Sequence, residues 1–301
     1  MLYNYPSRDI STCLASRRVV FVGDSVTRQL FYSVAHSADQ SIPSEPEDND
    51  KKHVDYKFTS KDNTEFSFVW DPYLNSTQTN DILRGSVDSV SSTSAIHTPA
   101  LLVVGSGLWY LRYDGADALR RWEATIEEAL ERINANGDSV ADTVVFLPVE
   151  NLVPSKLSKE RAATMHNTDI DAMNSDLRHR IHPPLEGYLP PPLKVLRTGV
   201  GAPRIAFPEA FLEMLDPSQT TDGIHYSEKI LKAQTDVLLN LRCNEVLPKK
   251  FPLDKTCCRS YPSISTYQFL ILAILTSWAF IAKFYSAQLC KQSLANTLAV
   301  G

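Results

Sequence analysis

Three short, strongly apolar runs constrain the fold of this chain more than any other feature: VVFV (19–22), ALLVV (100–104) and DTVVFLP (142–148). Each reads as a buried strand, and segments of helical spacing lie between them. After the first run, Val26, Leu30, Phe31 and Val34 recur at helical intervals. Between the second and third, a helix is predicted from about Asp117 to Asn134, with Leu119, Trp122, Ile126, Leu130 and Ile133 in one stripe and Asn136-Gly137 as its stop. Strands joined through helices imply an α/β fold, with a mainly parallel sheet covered on both faces. Such sheets bind ligands beyond the carboxyl ends of their strands. The informative residues therefore follow the runs: Gly23-Asp24-Ser25 and Gly105-Ser106-Gly107.

The remaining pattern fits this frame. FSFVW (66–70) alternates as a strand and stops at Asp71-Pro72. TDIDAMNSDLRHRI reads as a helix capped by Thr168, HPPLEGYLPPP as a stiff proline-rich loop, and LKVLR and RIAF as short strands. SEKILKAQTDVLLNLR closes the domain as a helix that turns Ile230, Leu231, Val237, Leu238 and Leu241 inward.

At 301 residues the chain is long enough for one large domain with its own core. With 35 acidic against 30 basic residues, no basic field invites nucleic acid. One stretch departs from globular composition. ISTYQFLILAILTSWAFIA (264–282) is uncharged, has Tyr267 and Trp278 near its ends, and shows no polar face. It reads as a C-terminal membrane helix at 264–283, with a buried core helix as the alternative. The first residues, MLYNYPSRDISTCL, lack the apolar core of a signal peptide, so a tail-anchored chain or an incomplete gene product is expected. Of the five cysteines, Cys243, Cys257 and Cys258 cluster before the span, where Cys243 could pair with either of the other two. No metal site is expected, because no second Cys pair or nearby His completes a ligand set. Asn75-Ser76-Thr77 is a glycosylation sequon.

Gly23-Asp24-Ser25 can be a helix entry and nothing more, since Asp and Ser are common caps. It can also hold a nucleophile at a helix N-terminus, where free N–H groups stabilise an oxyanion. A serine needs a base. Of the seven histidines, His36, His53, His97, His166, His179 and His182 read as surface or structural. His225 lies in TTDGIHYSEKI, three residues after Asp222 and just before the last helix. That turn can hold Asp222 on one imidazole nitrogen and turn the other toward Ser25.

Gly-Asp-Ser early and Asp-x-x-His late resemble the SGNH hydrolase superfamily. More closely, the chain resembles the PC-esterase-type domain of the fungal capsule polysaccharide and animal sialic-acid O-acetyltransferases. CLASRRVVFVGDSVTRQLFY, LLVVGSGLWYLRY, PVENLVPSKLSKERAATM, DAMNSDL, TDGIHYS and LRCNEVLPKKFPLDKTCC carry the likeness. The resemblance implies a three-layer α/β/α fold, Ser25 as nucleophile, His225 as base and Asp222 as orienting acid. It implies an acetyl-enzyme whose acetyl group, with acetyl-CoA as donor and no bound cofactor, passes to a polysaccharide or glycan hydroxyl. It also implies a Golgi membrane protein with a lumenal catalytic domain, here 1–245, followed by many spans; this sequence shows a Cys-containing linker at 246–263, one span at 264–283 and a tail at 284–301. The lysines and arginine before the span (Lys249, Lys250, Lys255, Arg259) would by themselves favour the cytosolic side.

The superfamily's Gly-x-Asn, whose Asn donates to the oxyanion, is Gly105-Ser106-Gly107 here. Backbone donors at Ser25 and at Gly85 or Gly105 are expected instead. Arg28, one turn after Ser25, could pair with Asp24, meet an anionic acceptor or lie on a solvated helix face; Trp109 could stack on a sugar ring or pack in the core. Two other functions fit the same residues: an acetylesterase with water as acceptor, and a non-catalytic glycan-binding fragment. VVGSGLW and TGVGAP lack the spacing of a dinucleotide-binding turn.

Overall fold

A computed structural model describes residues 2–14, 16–45, 52–86, 98–182 and 203–247, all within one compact unit, Met1–Cys257. Helix α1 (Ser7–Leu14) precedes strand β1 (Arg18–Gly23) and helix α2 (Ser25–Ala38). Strands β2 (Tyr56–Thr59) and β3 (Glu65–Trp70), helix α3 (Thr77–Leu83), strand β4 (Leu101–Val104) and helices α4 (Leu108–Tyr113) and α5 (Ala118–Asn136) follow. Then come β5 (Thr143–Phe146), α6 (Lys159–Thr164), α7 (Asn167–Ile181), β6 (Arg204–Ala206), α8 (Ala210–Glu213) and α9 (Glu228–Val246).

Among the described residues the sheet has six strands in the order β2-β3-β1-β4-β5-β6, parallel throughout except for the antiparallel edge pair β2–β3. Side-chain alternation along the buried strands builds two cores. Val20, Val22, Leu102, Val104, Val144 and Phe146 pack with residues of α4, α5 and α7. Val19, Phe21, Leu101, Val103 and Val145 pack with residues of α1, α2 and α9. The α/β class and the mainly parallel sheet are therefore as expected, and RIAF forms β6.

Two features were not legible. β2 is a four-residue strand, YKFT, that alternates between half-buried and exposed, and α1 packs only by its Ile10, Cys13 and Leu14 face. That face brings Cys13 to Cys243 on α9, and the two form a disulfide with a Cα–Cα distance of 5.3 Å. This corrects the expected pairing of Cys243 with Cys257 or Cys258. The cause is the packing of α1 on α9, which closes a sequence separation of 230. Helix α7 also starts differently: His166 is at its cap position, and Thr168 lies in its first turn.

Cys257, Cys258, LKVLR (193–197) and the span and tail expected from residue 264 lie outside the described residues. Among the described residues no helix is long and apolar enough to cross a membrane. Asn75 is exposed in the turn leading into α3.

The strand order reverses at β1, with β3 on one side and β4 on the other, so a crevice opens beyond their carboxyl ends. Both helices that matter for the site begin there. α2 follows β1 directly, and α9 packs against it, cross-braced by Ser33 Oγ and Thr235 Oγ1 at 2.8 Å.

Candidate active site

The turn from β1 to α2 separates the two roles left open for Gly23-Asp24-Ser25. Asp24 is the cap: its Oδ1 accepts from the N–H groups of Val26 (3.0 Å) and Thr27 (3.4 Å). Ser25 is the first helical residue, and its hydroxyl is left to face outward. Gly23 makes this possible, with φ +155° and no room for a side chain: a Cβ would lie 2.2 Å from the Gly105 carbonyl oxygen and 2.6 Å from Thr27 Oγ1. Gly23→Ala is therefore expected to cost about 2–4 kcal/mol through strain and overpacking, read by denaturant unfolding.

The base arrives on the turn before α9. His225 Nε2 is 2.8 Å from Ser25 Oγ, and His225 Nδ1 is 2.8 Å from Asp222 Oδ2. The carboxylate fixes the tautomer: Nδ1–H donates to Asp222, so Nε2 accepts from the serine hydroxyl. Asp222 Oδ1 also accepts from the backbone N–H groups of His225 (2.8 Å) and Ile224 (3.0 Å). Burial pushes the Asp222 carboxyl up. The hydrogen bonds from the His225 ring, from its backbone N–H and from Ile224, with the nearby imidazole charge, outweigh it and hold the carboxyl well below the ordinary range.

The segment after β5 fastens this turn. Val153 N–H donates to the Gly223 carbonyl (3.0 Å), and Tyr226 Oη donates to the Asn151 carbonyl (2.8 Å). Lys156 Nζ donates to the carbonyls of Pro217 (2.7 Å) and Thr220 (2.6 Å). Gly223 takes φ +81° against Val153, where a Cβ would lie 2.7 Å from its carbonyl oxygen. Two asparagines of α7, seven residues apart on one helix face, clamp the same segment. Asn174 bonds both N–H and C=O of Val149 at 2.8 Å, and Asn167 bonds those of Leu152 at 2.8 and 3.1 Å. From α6, Arg161 donates to Asp222 Oδ2 at 3.2 Å. None of these supports follows from local sequence pattern, because each acts across elements; only the bare motif strings PVENLVPSKLSKERAATM, DAMNSDL and TDGIHYS mark them, and Asn167 lies outside all three.

The expected oxyanion donors Gly85 and Gly105 do not serve. The Gly105 N–H donates to the Val22 carbonyl at 3.0 Å, continuing the β1–β4 ladder. The Gly85 N–H donates to Ile82 at 3.0 Å, and Gly85 packs on Ser139, beyond the amino ends of the parallel strands. An asparagine at 107 is excluded too: Gly107 has φ +148°, and a Cβ there would meet Val149 Cγ2 at 2.6 Å. Ser106 Oγ is committed to the Pro72 carbonyl at 2.7 Å. The Ser25 N–H makes no hydrogen bond among the described residues.

Arg28 forms no ion pair with Asp24. Its guanidinium lies over the Trp70 ring, 5.8 Å from the centroid, and donates to the Lys52 carbonyl. His53, read from sequence as surface or structural, stacks on Trp70 at 4.5 Å; Trp109 meets both rings edge-on, at 5.5 and 5.6 Å. Trp109 is half-buried, so it belongs to this aromatic wall and not to the core. The wall borders the nucleophile, since Trp70 is the register partner of Gly23. Among the described residues no cluster of His, Cys, Asp or Glu could hold a metal ion.

A serine at a strand-to-helix turn, hydrogen-bonded to a histidine that a carboxylate orients, is the geometry shared by α/β hydrolases and acyltransferases with a Ser-His-Asp triad. The chain matches no protein-family model. It is 26% identical over 285 residues to N-acetylneuraminate (7)9-O-acetyltransferase of Danio rerio, an alignment covering 91% of this chain. The chain spans 31% of that relative's length. The relative bears out the resemblance to the O-acetyltransferase family drawn from the motifs.

Proposed function

We propose that this chain is the acetyl-transferring part of a glycan O-acetyltransferase, with Ser25 as nucleophile. The observation that carries the reading is the continuous Ser25–His225–Asp222 relay, with both hydrogen bonds at 2.8 Å. Ser25 Oγ attacks the carbonyl carbon of the acetyl donor while His225 Nε2 takes its proton. With acetyl-CoA as donor, the C–S bond breaks and His225 returns the proton to the leaving thiolate. An acceptor hydroxyl then attacks the acetyl-enzyme, His225 takes its proton, and the C–O bond to Ser25 breaks with reprotonation of the serine. Asp222 stays ionised throughout and stabilises the imidazolium. The oxyanion meets the backbone N–H of Ser25, which makes no other hydrogen bond among the described residues.

The acceptor is a carboxylated sugar. Arg28 offers it a cation without a carboxylate partner among the described residues, and the half-buried Trp109 beside the Trp70 ring offers an aromatic surface. The relative's name, which specifies N-acetylneuraminate, supports the same class. The Cys13–Cys243 disulfide supports an oxidising compartment such as the Golgi lumen; the uncharged apolar run at 264–282 supports a membrane tether at 264–283. The triad also admits an esterase reading, which one observation favours: the His225 and Asp222 side chains are 29% and 36% exposed, so water reaches them.

The test incubates the full chain with acetyl-CoA and N-acetylneuraminate. O-acetylated sugar formed by the wild type and not by folded Ser25→Ala is the expected result. Free acetate as the sole product assigns the esterase reading, and product from Ser25→Ala rejects both.

A further inference from the structure

Directly behind the nucleophile turn lies a group the proposed chemistry does not use. Glu150, four residues past β5, is 6% exposed. One of its oxygens accepts from the Gln234 side-chain amide of α9 at 2.6 Å. The other accepts no hydrogen bond among the described residues, and neither does Oδ2 of Asp24. Both carboxyls, with Gln234, line one cavity of about 20 Å³, room for a single water. Thr27, Gly105 and Ser106 complete its polar side, so the cavity sits under the turn that aims Ser25.

Two carboxylates in one buried site do not both ionise freely. Burial pushes both up. Asp24 has compensation from the Val26 and Thr27 N–H groups and from His225, whereas Glu150 has Gln234 alone and feels the charge of Asp24. The proton of the pair therefore resides on Glu150, whose carboxyl is pushed up to about 7. The groups facing Glu150 are Asp24 from the α2 cap, Gln234 from α9 and Tyr226 from the turn before α9, itself pushed up to about 12 by burial and by Glu150. No cation is among these groups.

We propose that Glu150 is a positioning residue for the nucleophile: its protonated carboxyl donates to Asp24 through one water held in the cavity, and so holds the Gly23–Ser25 turn on His225. Ionisation releases that proton to solvent, removes the donor and sets a second negative charge beside Asp24. The turn then loses its support from below. This rests on the reading of Ser25 as nucleophile, but it is testable apart from it.

Two measurements on the full chain decide it. The first is the rate of Ser25 labelling by a fluorophosphonate probe against pH. The wild-type rate is expected to fall above about 7, approaching tenfold per pH unit, as Glu150 ionises. Glu150→Gln, neutral and still able to donate, keeps its rate through the same range, whereas Glu150→Ala is slow at every pH. The second is the amide nitrogen shift of Ser25, which should titrate near neutrality in the wild type and stay flat in Glu150→Gln. The proposal is overturned if Glu150→Gln keeps the wild-type profile, if it is unreactive at all pH values while folded, or if the Ser25 amide does not titrate. Should no labelling occur at any pH, the nucleophile reading fails, and the amide titration alone still decides the role of Glu150.

Discussion

Asp222→Asn is expected to lower acetyl transfer by about 10⁴-fold at neutral pH without unfolding the protein. The fold persists because the asparagine carbonyl can still accept from the Ile224 and His225 N–H groups, as Asp222 Oδ1 does now. What changes is the other oxygen. It accepts from His225 Nδ1 at 2.8 Å, and an amide NH2 placed there presents a donor to a donor. The ring answers by moving its proton to Nε2, which then points N–H at Ser25 and cannot take the hydroxyl proton. Arg161, now bonded to the same oxygen, loses its anionic partner as well. Steady-state rates compared at equal folded fraction, checked by near-ultraviolet dichroism, measure the effect. A loss below tenfold would mean that Asp222 only shapes the turn.

Cys243→Ser carries the largest expected effect on stability. The disulfide ties α1 to α9 across a separation of 230 residues, and both sulfur positions are fully buried, at 0% exposure. Losing a native cross-link of this kind costs about 2–5 kcal/mol. The expected result is a lower denaturation midpoint for Cys243→Ser under oxidising conditions, with the wild type falling to the same midpoint in reductant. The folded fraction should still label at Ser25, because Ser33 and Thr235 brace α2 on α9 independently of the disulfide. Equal midpoints for wild type and variant without reductant would show that the cross-link contributes nothing.

What the sequence made legible follows from the range of each interaction. β1, β4 and β5 announce themselves because parallel strands are buried on both faces and their runs are apolar throughout. Ser25, Asp222 and His225 could be named because each lies at a boundary between a run and a helix. β2 leaves no such mark, because an edge strand needs no continuous apolar run and its residues alternate between half-buried and exposed. Nearness in sequence points Cys243 to Cys257 or Cys258, whereas the packing of a short, weakly patterned helix gives it Cys13. Gly85 and Gly105 looked available as donors because sequence does not show which N–H groups the ladder and the end of α3 have already engaged. Asn167, Asn174, Arg161 and Glu150 act only through contacts with distant elements, so their roles appear once the chain is folded.

The central claim is that Ser25 carries the acetyl group. It is tested most directly by mixing the full chain with acetyl-CoA, quenching in acid before turnover completes, and mapping the modified peptide by mass spectrometry. One acetyl group on Ser25, discharged when N-acetylneuraminate is added and absent from Ser25→Ala, is the predicted result. Acetylated sugar formed with no acetyl group on Ser25 at any time would contradict the account.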